Sequence, residues 1–186
     1  MPSALNAAWI AIGLVWAIAA LAAKPAVRVE PRETRIGHLV TFVVAFGLLF
    51  STALRSGPLG WRLVASSPAT AIAGFVLTFA GLGFAVWARF YLGGNWSSVV
   101  AIKQQHTLVH TGPYSLVRHP IYTGLLLAML GTALATGELG CFLGVFLAFA
   151  GWQAKARLEE HFLLAQFGEA YRSYCAHVKG MIPFVL

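Results

Sequence analysis

The chain has 186 residues, of which 59% are hydrophobic and only 10% are charged. Soluble domains contain about 25% charged residues, so this composition excludes an ordinary soluble domain and predicts an all-α integral membrane protein. Thirteen Lys and Arg against six acidic residues give a formal charge of +7. The basic residues are scattered between apolar runs, which favours contact with anionic lipid and an effect on membrane topology over nucleic-acid binding.

Five apolar runs are read as membrane helices. They cover residues 4–23, 38–54, 69–90, 121–136 and 139–152. Only Gly137 and Glu138 join the last two, which predicts an antiparallel hairpin. Its two helices are marginal in length for a full crossing. In the third run, Gly74, Gly81 and Gly83 have the spacing of small residues where helices approach closely.

Basic residues are distributed unevenly between the two sides of this arrangement. The loops after the first and third runs and the tail together carry eleven Lys and Arg, whereas Arg55 and Arg62 lie on the other side. This positive-inside bias predicts an external amino terminus, with the long loop and the tail together in the cytosol. From Lys155 the tail has apolar positions at helical spacing, interrupted near Gly168. We therefore expect one or two amphipathic helices along that face.

The loop before the hairpin contains the densest group of polar side chains. Residues 106–124 read HTLVHTGPYSLVRHPIYTG. Pro113 and Pro120 restrict the backbone, so we expect a shaped loop that ends in the first turn of the next helix. Arg118 and His119 would then lie at a helix amino terminus, where free N–H groups face anions. A basic loop that anchors the chain to lipid is the alternative interpretation.

Common enzyme and cofactor motifs are not found in the sequence. There is no GxGxxG after a strand, no Walker lysine motif and, without any Asp, no Ser-His-Asp set. His106 and His110 are four residues apart, but the Gly-Pro step after them argues against a helix that aims both at one metal. His38 would need a second imidazole at similar depth to bind haem. Lys155 and Glu159 alone would be read as a helix-end salt bridge.

Three segments follow one another in the chain, LVHTGPYSLVRHPIYTG, then EEHFLLAQFGEAYRSY after the hairpin, then GMIPF. In this order they resemble the isoprenylcysteine carboxyl methyltransferase family and its phospholipid methyltransferase relatives. The resemblance covers residues 89–184. It implies one membrane methyltransferase domain over residues 1–186, with two N-terminal membrane helices in 1–68 and a catalytic core in 69–186. It also implies that the chain binds S-adenosylmethionine, methylates a lipophilic acceptor in the bilayer and releases S-adenosylhomocysteine. Because the methyl donor is already activated and the basic residues are scattered, neither a metal nor a nucleic-acid partner is expected.

The resemblance further implies roles for individual residues. The implied cofactor-binding residues are His106, Thr107, Leu108, Val109, Tyr114, His119, Pro120, Ile121, Tyr122 and Glu159. The implied catalytic residues are Arg118, His119, Lys155 and Arg157. The family's substrate-carboxylate residue falls at Lys155, where the better-known eukaryotic members have Arg. Because Lys offers a point charge instead of a bidentate fork, Arg157 is the alternative for this role.

The methyl acceptors that this resemblance suggests can be ranked by whether they need a general base. A carboxylate is nucleophilic without a base, whereas an amine or alcohol needs one, for which His119 is the candidate. We therefore expect the carboxylate of an isoprenylcysteine-like substrate first, and a phospholipid amine or another small lipophilic acceptor second. A non-catalytic membrane scaffold or cofactor-binding subunit is the third alternative.

The chain is shorter than the eukaryotic enzymes and resembles their compact prokaryotic relatives. The expected location is therefore a prokaryotic inner membrane, with the site and the carboxyl terminus in the cytosol. The acceptor is expected to enter through a lateral opening to lipid, lined by the third helix and the hairpin.

Overall fold

Six α-helices and one short strand pair form the fold of the computed structural model, which describes residues 2–21, 26–96, 101–103 and 107–182. The helices are α1 (Pro2–Ala20), α2 (Arg32–Phe50), α3 (Pro68–Leu92), α4 (Pro120–Thr136), α5 (Leu139–Phe167) and α6 (Glu169–His177). The strands β1 (Ala26–Val29) and β2 (Ala101–Lys103) pair antiparallel. The predominantly helical architecture agrees with the prediction. The strand pair lies in segments that were read as loops.

The predicted membrane helices are supported to different degrees. By length and composition, α2, α3 and α5 can each cross a bilayer, whereas α1 and α4 contain shorter apolar helices. The number of five crossings therefore remains a prediction. α2 begins six residues earlier than predicted, at Arg32, directly after Pro31. Hydropathy missed this start because Arg and Glu form helices well although they are polar.

The most important difference from the sequence prediction is the length of α5. The fifth apolar run ends at Trp152, but the helix continues without a break to Phe167, and Gly168, with a φ of 54°, ends it. No Gly or Pro interrupts this extension, and its Ala, Lys, Arg, Leu and Glu residues favour helix. The helix is about 43 Å long at a rise of about 1.5 Å per residue. The charged segment from Lys155 onward is therefore a rigid extension of a membrane helix rather than a separate surface helix.

Glycines on α3 bring its backbone against that of α4, as predicted for two of the three positions. A Cβ atom on Gly81 would lie 2.5 Å from the backbone nitrogen of Ala128, and one on Gly74 would lie 2.6 Å from the carbonyl oxygen of Gly131. Gly83 faces open space. Two helices this close leave no room for side chains between them. The glycine-bearing face of α3 therefore closes on α4 and does not line the expected lateral opening.

The predicted hairpin is present, and the loop after α2 packs on its turn. Gly137 has a left-handed φ of 78° and ends α4. Backbone hydrogen bonds connect Leu63 to Gly137 and Leu139 to Trp61, each over 2.8 Å. The guanidinium of Arg55 forms an ion pair with Glu138 over 2.6 Å. These contacts fix the end of the bundle that lies away from the long loop.

At the opposite end, the long loop and the tail meet. The backbone N–H of Arg118 donates to the carbonyl of Lys179 over 2.8 Å, and that of His119 donates to Gly180 over 3.2 Å. Thr123 Oγ1, in the first turn of α4, donates to the carbonyl of Met181 over 2.6 Å. The predicted proximity of the loop and the tail is therefore observed.

Replacement of Gly81 by Val is expected to destabilise the protein by roughly 1–3 kcal/mol, because the added methyl groups would force α3 and α4 apart. Gly83→Val, two residues away on the same helix, is the matched control, since its new side chain meets open space. Thermal unfolding in mild detergent, followed by circular dichroism, measures both. Equal loss of melting temperature in the two variants would contradict the close approach of the helices.

Candidate functional site

A cavity of about 570 Å³ lies at the end of the bundle where the loop and the tail meet. Its volume is in the range of small-molecule sites, about 300–1,000 Å³. Its apolar wall consists of side chains from α1, α2, α4 and α5, namely Trp16, Ala17, Ala20, Phe42, Phe46, Leu125 and Trp152. Its polar wall is formed by the long loop, the start of α4, the charged segment of α5 and two tyrosines of α6. The cavity therefore connects an apolar compartment to a charged one.

Most of the predicted site residues line this cavity. They are Leu108, Val109, Tyr114, Arg118, His119, Ile121, Tyr122, Lys155 and Glu159. Four others do not. Thr107 is exposed and accepts a hydrogen bond from Asn95, Pro120 is buried in the first turn of α4, and Arg157 is exposed away from the cavity. His106 lies outside the described residues.

His119 is the centre of the polar wall. It precedes Pro120, the first residue of α4, and its side chain is buried between two adjacent glutamates of α5. Its Nδ1 lies 3.4 Å from Oε2 of Glu159, and its Nε2 lies 2.9 Å from Oε1 of Glu160. Burial alone lowers the pKa of His119, but the hydrogen bonds and charges of the two carboxylates outweigh it and raise the pKa above its ordinary value.

The two glutamates have different surroundings. Glu159 lines the cavity and accepts a hydrogen bond from the hydroxyl of Tyr122. Glu160 lies behind His119 and also accepts from Nε of Arg118 over 2.8 Å. Sequence reasoning missed Glu160, although it is the second residue of the Glu-Glu motif and was visible there.

A series of stacked rings crosses the cavity from its polar to its apolar wall. His119 stacks on Tyr122 with ring centroids 5.6 Å apart and planes within 6°, and Tyr122 stacks on Trp152 over 5.8 Å. Trp152 in turn contacts Phe42 on α2, with centroids 5.0 Å apart. The buried ammonium of Lys155 lies 5.9 Å from the centroid of the Tyr122 ring, within the range of a cation–π contact.

Two tyrosines connect the loop to α6. The hydroxyl of Tyr174 donates to the backbone carbonyl of Tyr114 over 2.6 Å. Burial raises the pKa of Tyr114, and the charge of Glu159 raises it further. Burial likewise raises the pKa of Tyr174. Both phenols therefore remain neutral across the physiological pH range.

The apolar wall depends on Arg89, to which the sequence prediction gave no role. This arginine is buried near the end of α3, and its guanidinium carbon lies 4.2 Å from the centroid of the Trp96 ring. It donates to the carbonyl of Ala19 over 2.6 Å and to that of Gly93 over 3.1 Å. Arg89 thereby holds the end of α1 beside the cavity. The first two helices carry no motif, so their contribution to the site could not be read from the sequence.

Comparisons with known proteins identify a family and several relatives. A family profile described as phospholipid methyltransferase matches residues 69–170. The cobalt-zinc-cadmium resistance protein CzcN of Cupriavidus metallidurans is 33% identical over 152 residues, which cover 78% of this chain and 60% of that protein. The protein-S-isoprenylcysteine O-methyltransferase of Schizosaccharomyces pombe is 32% identical over 101 residues, which cover 53% of this chain and 43% of that protein.

The chain spans 60% or less of the length of these relatives. Among solved structures, the eukaryotic intramembrane Ras methyltransferase, an isoprenylcysteine carboxyl methyltransferase, superposes with a TM-score of 0.55 at 24% identity. That superposition covers 86% of this chain and 55% of the other. The likeness shows that the two proteins share a fold.

Proposed function

Because the chain belongs to the phospholipid methyltransferase family, we propose that it transfers a methyl group from S-adenosylmethionine to a lipophilic acceptor in the membrane. The observation that carries the proposal is the cavity, in which an apolar wall from membrane helices meets a charged wall at the helix ends. Methyl transfer needs mainly that two reactants are aligned and that water is excluded. A cavity with two chemically different walls, one of them apolar, suits both requirements.

The cofactor would bind on the polar side of the cavity. S-adenosylmethionine supplies an activated methyl group on a sulfonium cation. The residues present fit such a cation, because a carboxylate, that of Glu159, and the aromatic rings of Tyr114 and Tyr122 all face the same space. Glu159 is held by Tyr122 and His119, so its oxygens are oriented to accept hydrogen bonds from ribose hydroxyls or an amino group. Leu108 and Val109 would border the cofactor from the loop.

The acceptor would bind on the apolar side, with its reacting group near Lys155. This ammonium is buried beside the Tyr122 ring, at the boundary between the two walls. Arg157 is exposed away from the cavity, so the negative charge of the acceptor would face Lys155. An anionic head group on a hydrocarbon chain matches a cation next to an aromatic and aliphatic wall, as in an isoprenylcysteine carboxylate. The charge bias between the two sides supports a cytosolic position for this end of the bundle.

A phospholipid amine is the second candidate acceptor, favoured by the description of the matching family profile. A protonated amine must lose a proton before it attacks, whereas a carboxylate attacks directly. The cation of Lys155 would also repel a protonated amine. The geometry of the cavity therefore favours the carboxylate.

Purified protein in detergent is expected to bind S-adenosylhomocysteine, measured by isothermal titration calorimetry. Glu159→Gln should weaken this binding about tenfold or more, since a hydrogen bond to a charged group contributes about 1.5–3 kcal/mol. Glu169→Gln is the matched control, because that glutamate is exposed on α6, away from the cavity. Failure of the unmodified protein to bind at millimolar ligand would refute the proposed cofactor and favour a scaffold.

The acceptor is tested by methylation of a prenylcysteine analogue and of phosphatidylethanolamine in lipid vesicles. We expect faster transfer to the carboxylate of the prenylcysteine analogue. Lys155→Ala should lower that rate at least about tenfold while the affinity for S-adenosylhomocysteine changes little, and Arg157→Ala should leave both near normal. Faster transfer to the amine would establish the second acceptor. A large effect of Arg157→Ala alone would assign the acceptor's charge to Arg157.

A further inference from the structure

Glu160 lies beside the candidate site without lining its cavity. A single atom of this residue, Oε1, accepts two hydrogen bonds, from Arg118 Nε over 2.8 Å and from His119 Nε2 over 2.9 Å. Its side chain is only 26% exposed. Glu160 therefore contacts both Arg118 and His119 but does not line the cavity. It can influence a ligand there only through these two residues.

The geometry around His119 favours the doubly protonated form of its ring. Nε2 faces Glu160 and Nδ1 faces Glu159, at 2.9 and 3.4 Å. An ionised carboxylate accepts hydrogen bonds and donates none, so each ring nitrogen must carry a hydrogen for both contacts to be favourable. A doubly protonated imidazolium satisfies both carboxylates, whereas a neutral ring leaves one of them facing a lone pair.

We propose that Glu160 is a positioning residue, which keeps His119 doubly protonated so that His119 holds the Glu159 carboxylate in place at the cavity wall. Direct contacts connect Glu160 to Glu159 through His119. Glu160 fixes one side of the imidazole, stacking on Tyr122 fixes its plane, and the opposite nitrogen meets Glu159. Tyr122 completes the arrangement because its hydroxyl donates to the other oxygen of Glu159. The test of this role by the affinity for S-adenosylhomocysteine rests on the proposed cofactor function.

The surrounding charges make His119 sensitive to loss of Glu160. The carboxylates that face it come from α5, and the raised pKa of His119 reflects both of them. Arg118, on the same loop, pairs with Glu160, and Lys155 on α5 contacts the ring of Tyr122. Tyr122 is on α4, and its ring stacks on that of His119. Without Glu160, only the Glu159 carboxylate would face the imidazole.

Double protonation of His119 determines whether it can act as a base. An imidazolium has no free lone pair, so His119 in this state does not accept a proton from an acceptor. Its expected use as a general base for an amine is therefore inconsistent with the proposed role of Glu160. His119 serves instead as a fixed double donor.

The proposal is tested first by the titration of His119, followed by NMR in protein with ¹³Cε1-labelled histidine and assigned with His119→Gln. The unmodified protein should titrate with a midpoint above 6.5, the ordinary value. Glu160→Gln should lower this midpoint by about one pH unit or more, since a carboxylate within about 4–6 Å shifts a pKa by that amount. Glu160→Asp keeps the charge and should restore much of the shift. Glu169→Gln should change nothing.

The second readout is the affinity for S-adenosylhomocysteine between pH 6 and 10. Because the pKa of His119 is raised, the double donor is present at low pH and is lost as the pH rises through that pKa. Affinity should fall along this limb, and Glu160→Gln should move the limb to lower pH by the same amount as the NMR midpoint. If the Arg118–Glu160 bridge were purely structural, its loss in Glu160→Gln would lower the affinity for S-adenosylhomocysteine equally at every pH. This result would overturn the proposal.

Each remaining outcome is also decisive. An unmodified His119 that titrates at or below 6.5 overturns the proposal, even if Glu160→Gln does not fold. An unchanged midpoint in a folded Glu160→Gln variant does the same. Absence of ligand binding by the unmodified protein, together with the expected NMR shifts, refutes the proposed cofactor and leaves the positioning role of Glu160 standing.

Discussion

The contact between the Arg118–His119 step and the adjacent glutamates of α5 is the interaction on which the candidate site depends. It joins segments about 40 residues apart in sequence, and one oxygen of Glu160 contacts both Arg118 Nε and His119 Nε2. Removal of one partner from this partly buried cluster would leave the charges of the others uncompensated. Together with the backbone hydrogen bonds to the tail, this contact holds the loop against α5.

The rigidity of α5 makes this contact possible. The helix begins at the hairpin turn and continues beyond its apolar part, so Lys155, Glu159 and Glu160 have fixed positions relative to the bundle. The close packing of α3 on α4 fixes the other half, because His119 and Tyr122 lie at the first turn of α4. The packing of α3 on α4 and the continuous helix α5 thus set the distance between the loop and the carboxylates.

Local sequence signals predicted much of this arrangement, and each success has a simple cause. Apolar runs located helices α1 to α5, the Gly137–Glu138 connection predicted the hairpin, and the spacing of Gly74 and Gly81 predicted the close contact of α3. The resemblance of three motifs to a known family predicted most of the polar residues that line one wall of the cavity. The different positions of Lys155 and Arg157 also follow from helix geometry, since residues two apart do not share a face.

Other features depend on contacts that no local pattern encodes. Hydropathy falls at Trp152 although the helix continues, because helix propensity and hydrophobicity are independent properties of residues such as Glu and Lys. The pairing of β1 with β2 joins distant segments. The apolar wall formed by α1 depends on how Arg89 binds the carbonyl of Ala19, which is a tertiary contact.

Photo-crosslinking with a photoreactive analogue of S-adenosylhomocysteine, followed by peptide mapping, tests the central claim most directly. If the loop and the extended end of α5 enclose one nucleoside, adducts will form in both residues 107–122 and residues 155–163, and unlabelled S-adenosylhomocysteine will suppress them together. Adducts confined to one of these segments, or to residues outside the cavity, would contradict a shared site.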